Sequence, residues 1–412
     1  MLKIPPALHH RRFRLLWLGL LISIAGSQMQ VSALLWHVST LSHEPIALGG
    51  IGLARIMPVI IFSLVSGSVA DVYNRRKIMF FTQGTMTLIS AVLCLLTLRG
   101  DISIWHIYLL TAIQAIANAF DLPARQALVP NLVPARDLPN AFSLQSIAYQ
   151  AGAIVGPALG GLVIAYFGQA YVYLIDAISF LAVFAALIMM GSVEQKVSPS
   201  MQRGVSLTAI KEGIHFIFHQ PVILSTMLID FFATFFSSAN TLMPLIARNV
   251  LGVGVVEYGW LNAAQAIGAV TAALVISQIG QIRRQGPLFL ASVLSFGVST
   301  ILFGLAPSFL LAMLALILVG ASDAVSTIIR NTIRQLQTPD YIRGRMTSIN
   351  QIFFMGGPQL GEVEAGAVAQ FFGPVFAVIS GGVGCLLAVG LIVRRWPQLR
   401  LYSGEEPVVA GS

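Results

Sequence analysis

Charge is what this chain has least of. Of its 412 residues, 10% are Asp, Glu, Lys or Arg and 56% are hydrophobic, where a soluble protein carries about 25% charged residues. The mean hydropathy is +0.82. These values exclude a soluble domain and indicate an integral membrane protein. Acids are scarcer still, 16 against 24 Lys and Arg, which leaves a net charge of +8. The surplus reads as a bias of cytoplasmic loops rather than as a nucleic-acid surface, and no nucleic-acid partner is expected. There are two cysteines, Cys94 and Cys385, in apolar runs of opposite halves. They exclude a disulfide framework and a cysteine metal cluster. The chain has no H-E-x-x-H, no G-x-S-x-G and no G-x-x-x-x-G-K-S/T. Those absences argue against a membrane-embedded hydrolase and an ATP-driven pump. No enzyme activity, cofactor or metal is expected. His215 and His219 have the i, i+4 spacing of a metal pair but lack a third ligand nearby.

What the chain has in quantity is long apolar runs. A spanning helix needs about 20 mostly apolar residues. Twelve stretches qualify, near 14–38, 46–70, 78–98, 104–122, 140–166, 171–190, 222–247, 257–280, 287–305, 308–333, 345–370 and 374–394. Lys3, Arg11, Arg12 and Arg14 precede the first, which is too long for a signal peptide and reads as a retained helix with its N-terminus inside. An even number of spans returns the C-terminus to the same side. All Lys and Arg except Arg55, Arg99 and Arg248 then fall on the inside. The expected organisation is a six-helix bundle over 1–190, a cytoplasmic linker over 191–221, a second bundle over 222–395 and a tail over 396–412. Within the linker, 206–219 reads as a surface helix with Ile210, Ile214, Phe216 and Ile217 on lipid.

The two halves repeat. At an offset of 205 residues, Arg125 meets Arg330, Pro134 meets Pro339 and Ser143 meets Ser348. Gly152, Gly156 and Gly161 meet Gly357, Gly361 and Gly366, and Phe167-Gly168 meets Phe372-Gly373. The expected fold is all-α and integral to the membrane: twelve transmembrane helices as two pseudo-symmetric six-helix bundles, with a binding site between the halves near mid-membrane.

Between the second and third runs lies Gly67–Lys77, GSVADVYNRRK. Three positive charges in a hairpin tip place that tip on the cytoplasmic side. Its spacing resembles the loop signature of the major facilitator superfamily, G-x-x-x-D-R/K-x-G-R-R/K. Gly67, Asp71, Arg75 and Arg76 match. Val72 replaces a basic residue, and Asn74 replaces a glycine with a residue that tolerates left-handed backbone. In helix five, Gly152-x-x-x-Gly156-Pro157-x-x-Gly160-Gly161 resembles the motif that the superfamily associates with antiporters; small residues at this spacing also pack membrane helices of any function. The stretches FRLLWLGLLIS, LPARQALVPNLVPARDLPNAFSL and RNTIRQLQTPDYIRGRM resemble the enterobactin-exporter-like branch, which also holds multidrug efflux pumps.

The resemblance implies proton-driven export of small amphipathic molecules, siderophore- or drug-like, by alternating access in a cell inner membrane, the protein acting as a monomer with both termini cytoplasmic. Import or uniport of a small metabolite is the alternative, followed by a membrane protein without transport. The resemblance also implies a cytoplasmic clamp of Asp71, Arg75, Arg125 and Arg330. Charged residues inside helices are costly and mark cavities or partners, which singles out Asp230, Asp323, Glu362, Glu364 and Arg55 for proton coupling or the cavity. Glu362 and Glu364, two apart on a helix, cannot face the same cavity. Asp176, near the outer end of helix six, reads as interfacial. The helix-four arginine of R-x-x-Q-G is absent; the nearest match runs from Thr111 to Gln114 and Ala115. Gln28, Gln30, Asn118, Asn240 and Gln265 are further cavity-lining groups, and Phe231, Phe232, Phe235 and Phe236 are placed for an aromatic wall.

Overall fold

The computed structural model describes residues 5–193, 215–279, 282–338 and 343–404. It is nearly all helix. The long helices are α1 (Arg11–Leu41), α2 (Pro45–Val72), α3 (Arg75–Arg99), α4 (Ile104–Leu128), α5 (Leu138–Phe167) and α6 (Gln169–Met190). They continue with α7 (Pro221–Phe236), α8 (Val255–Gln278), α9 (Gln285–Leu305), α10 (Phe309–Gln337), α11 (Arg343–Phe372) and α12 (Pro374–Arg395). Among the described residues, eleven helical segments are long and apolar enough to cross a membrane. The helix not among them is α11, 30 residues long and interrupted by Gln359, Glu362, Glu364 and Gln370.

Two compact units form. One comprises residues 1–42 and 54–204, the other residues 43–53 and 205–412. The start of α2, placed by sequence in the first bundle, therefore groups with the second. Glycines are the reason. A side chain at Gly49 would meet the backbone of Glu362 and Val363, one at Gly52 would meet Glu362, and Gly366 lies against Gly49 in return.

Inside the first unit, α1 packs on α5 and α6, and α3 on α4 and α6. Inside the second, α7 packs on α11 and α12, and α9 on α10 and α12. The neighbour pattern thus repeats with the sequence. Glycine explains much of the matched register. Cβ atoms at Gly152 and Gly156 would fall 2.7 Å from Ile24 Cγ2 and from Ala25 O of α1. At the related Gly357 and Gly361 they would collide with Thr234 and with the Phe235 carbonyl of α7. Only glycine allows such approach of two helix backbones. The helix-five motif is, in this structure, the seam between α5 and α1. Gly168 and Gly373, which end the two seam helices, take φ of 91° and 85° with ψ of 170° and 160°. That region is essentially restricted to glycine.

The seventh span is found at Pro221–Asn249 but is broken within: α7 stops at Phe236, a tight turn follows at Ala239–Leu242, and a short helix resumes at Met243–Asn249. The Ser238 hydroxyl donates to the Pro358 carbonyl of α11 at 2.9 Å, which ties the break to its neighbour. In the linker, residues 206–214 lie outside the described residues. Phe216 and Ile217, expected on lipid, are buried with Ile223, Leu224, Met227 and Met346. They are core residues of the second unit because α7 begins only four residues later.

Candidate functional site

In the second unit, Arg330 of α10 forms an ion pair with Asp230 of α7. Both are buried, with 2% and 7% of their surface exposed. The guanidinium also donates to Thr327 Oγ1 at 3.3 Å and lies 5.9 Å from the ring of Phe354. Its Nε has no hydrogen-bond partner. Asp323 precedes Arg330 by seven residues, two helical turns, and so shares its face of α10. Asp230, Thr234, Asp323 and Ser326 line a small cavity closed by Ala233, Val293 and Phe296. Asp323 itself is exposed although it lies mid-helix. Two acids thus line one cavity: Asp230 is committed to Arg330, and Asp323 has no ion pair among the described residues.

This arrangement separates Arg330 from its repeat-related arginine. Arg125 lies 3.9 Å from Asp121, one turn earlier on its own helix. Asp121 in turn accepts from Thr82 and Gln83 of α3 at 2.8 and 3.0 Å. The repeat puts Ser326 at the place of Asp121 and Ala25 at the place of Asp230. Arg330 therefore finds its carboxylate on α7 rather than one turn away. The resemblance groups Arg330 with the cytoplasmic clamp; the structure pairs it with Asp230.

Below the first-unit helices, the α2–α3 turn is held by Arg75. Its Nη1 donates to Ala127 O at 2.8 Å and Asn131 Oδ1 at 2.9 Å, at the end of α4. Arg76 Nε donates to Leu187 O of α6 at 2.7 Å. Asn74 is not left-handed: its φ is −64°, and its side chain caps α3 by accepting from Lys77 N. The substitution for glycine is thus a helix cap, a different reason from conformational tolerance. A Cβ at Gly67 would meet nothing within 4 Å. The side chain of Asp71 lies outside the described residues.

Glu362 faces the start of α2 at Gly49 and Gly52, while Glu364, two residues on, is half-buried. Arg55 is half-buried, and among the described residues no ion pair reaches it. Gln265 Nε2 donates to Asn240 Oδ1 at 2.7 Å, across the break after α7. The four phenylalanines of α7 are half-buried. Phe231 stacks with Phe235 and meets Phe353 of α11, and Phe236 fills the space over Gly384 of α12. They are packing between helices of the second unit. Among the described residues no group of three or more His, Cys, Asp or Glu is placed to hold a metal.

The profile of the transmembrane secretion effector family matches residues 5–406. The chain belongs to this family, a branch of the major facilitator superfamily. It is a multi-pass membrane transporter and not an enzyme. The enterobactin exporter EntS of Shigella boydii serotype 18 is 27% identical over 403 residues, which span 98% of this chain and 96% of that protein. EntS of Escherichia coli O81 matches to the same extent. Among solved structures, a bacterial homologue of the human lysosomal transporter Spinster, inward-facing and unoccupied, superposes with a TM-score of 0.70 at 14% identity over 97% of both chains. A D-xylose-proton symporter gives 0.66 at 16% identity over 95% of this chain and 98% of its own. These likenesses show the shared fold.

The structure places one further polar group differently from the sequence expectation. Asp176 is not interfacial; none of its surface is exposed. It accepts from Ser90 Oγ of α3 at 2.7 Å and from Ser27 Oγ of α1 at 3.4 Å. The available signal was serine and glutamine recurring inside the apolar runs of α1 and α3, which made sense only once those helices were known to face α6.

Proposed function

We propose that this transporter exports small amphipathic molecules, siderophore- or drug-like, across the inner membrane in exchange for protons, as a monomer with both termini cytoplasmic. The observation that carries the coupling is that Asp230, paired to Arg330, shares a cavity with Asp323, which is exposed and has no ion pair among the described residues. A proton taken up by Asp230 releases Arg330, and the freed guanidinium turns to Asp323. One proton thereby repartners three charges on two helices, α7 and α10, which is the kind of two-state rearrangement alternating access needs. At the break after α7, the exposed Asn240 and the half-buried Gln265, bonded to each other, are the hydrogen-bonding groups we assign to cargo. The cargo class rests on the exporters to which the chain is 27% identical.

The test is uptake of a fluorescent dye and of a catecholate siderophore into vesicles containing the purified protein, with a pH gradient and with it collapsed. Gradient-dependent accumulation supports antiport. Equilibration indifferent to the gradient indicates a uniporter and returns Asp230 and Asp323 to a structural role.

A further inference from the structure

We propose that Asp176 binds a proton within the first unit, and that its occupancy sets, through Ser90 and Gln30, which end of the Gln114 amide faces the exposed side of α4. Four side chains from four helices form one hydrogen-bonded line. Gln114 Nε2 of α4 donates to Gln30 Oε1 of α1 at 2.7 Å. Gln30 Nε2 donates to Ser90 Oγ of α3 at 3.0 Å, and Ser90 donates to Asp176 Oδ2 of α6 at 2.7 Å. The inner members are sealed: Gln30, Ser90 and Asp176 have 2%, 0% and 0% of their surface exposed. Gln114 is half-buried, and Asn118, one turn on, is exposed. The line therefore joins a buried carboxyl to an accessible face.

The surroundings of Asp176 leave its charge to hydrogen bonds and to a proton. From α1 it meets Ser27, with Gly26 placed so that a Cβ would lie 3.2 Å from Oδ1 and collide with Ser179. His37, farther along α1, is bonded to Tyr173 Oη at 3.0 Å. From α3 it meets Ser90, with Cys94 one turn beyond. The titratable groups of α5, Tyr149 and Tyr166, are 57% and 78% exposed. On its own helix Ser179 spends its short hydrogen bond, 2.7 Å, on the Asp176 carbonyl. Among the described residues no ion pair reaches Asp176. A carboxylate buried without a cation needs either complete hydrogen bonding or neutralisation.

The line has a direction, and a proton reverses it. With Asp176 as acceptor, Ser90 points its hydrogen at the carboxylate, so its lone pair takes the Gln30 amide and Gln30 takes the Gln114 amide. A proton arriving from water and added to Oδ2 makes Asp176 a donor. Ser90 then turns its hydrogen to Gln30, the Gln30 amide flips, and Gln114 must flip to accept. Its free end changes from a carbonyl to an N–H pair. No covalent bond other than the O–H of Asp176 forms or breaks, and the proton leaves to water. The buried site stands on this geometry alone; its use in export rests on the antiport reading above.

Infrared difference spectroscopy on the full chain in phosphatidylethanolamine–phosphatidylglycerol vesicles, between acid and alkaline sodium-free buffer, tests it without cargo. The expected result is a protonated-carboxyl band that titrates together with a side-chain amide band. Asp176→Asn removes the carboxyl band, Ser90→Ala shifts its frequency, and Gln114→Met reduces the amide component to the share of Gln30. Asp230→Asn and Asp323→Asn leave both in place, so loss of the proposed coupling pocket is told apart from loss of this site. If Asp176→Asn does not fold, the frequency shift in Ser90→Ala carries the assignment. An unchanged spectrum in Asp176→Asn or in Ser90→Ala overturns the proposal. So does a band that responds to added sodium at constant pH, which would make the site a cation site.

Discussion

Replacing Asp230 by alanine tests whether the buried pair holds the second unit together. The substitution leaves Arg330, 2% exposed, with a hydroxyl, a nearby ring and no carboxylate. Removing one partner of a buried pair costs about 3–5 kcal/mol, because the remaining charge is stranded. For a unit of this size, each kcal/mol lowers the melting temperature by roughly 2–4 °C. The expected loss is therefore roughly 6–20 °C by differential scanning fluorimetry in detergent, with monodispersity followed by gel filtration. The double variant Asp230→Leu/Arg330→Met removes both charges and fills their volume, and such replacements are often neutral. Its melting temperature is expected to return to within a few degrees of the parent. Arg136→Ala is the control: that side chain is 84% exposed beside Asp137, and an exposed pair contributes about 0–1 kcal/mol. If the single and double variants lose equal stability, or the single variant loses none, the pair is not what stabilises α7 against α10. A double variant that is stable but does not accumulate dye would separate coupling from stability.

Other positions are expected to respond as their surroundings dictate. Asp323→Asn lowers gradient-driven export at matched membrane abundance, and parent-level flux would count against its coupling role. Gly361→Ala forces a methyl into the Phe235 carbonyl, and overpacking of this kind costs about 1–3 kcal/mol, read as a drop in melting temperature. Gly67→Ala, whose Cβ meets nothing within 4 Å, gains up to about 1 kcal/mol of helix propensity; lost export at unchanged stability would then locate a gate function there. Asn74→Ala removes the cap of α3 and costs about 1 kcal/mol, whereas Asn74→Asp keeps it. Equal melting temperatures for the two Asn74 variants would refute the capping role.

Composition and periodicity alone determined that this chain lies in a membrane, that its spans are helical and that its halves are duplicates. Those properties depend on local hydrophobicity and on residue spacing, which a one-dimensional string carries in full. The repeat even located the glycines that matter, because glycine at Gly168 and Gly373 answers a backbone demand and at Gly156 and Gly361 a steric one. Which carboxylate each arginine takes was decided only in three dimensions. Arg125 and Arg330 are aligned in sequence, yet one finds Asp121 on its own helix and the other finds Asp230 about a hundred residues away on α7. Ion pairs depend on which helix faces which, and a spacing rule sees only partners on the same helix. The same limit hid Asp176: Ser27 and Ser90 reach it from α1 and α3, and the one serine in its own neighbourhood, Ser179, does not distinguish a buried hub from an interfacial acid. The break after Phe236 was hidden for the opposite reason. The stretch around it is apolar enough to read as one span, and the bond from Ser238 to the Pro358 carbonyl that ties the break to α11 joins residues far apart in the sequence.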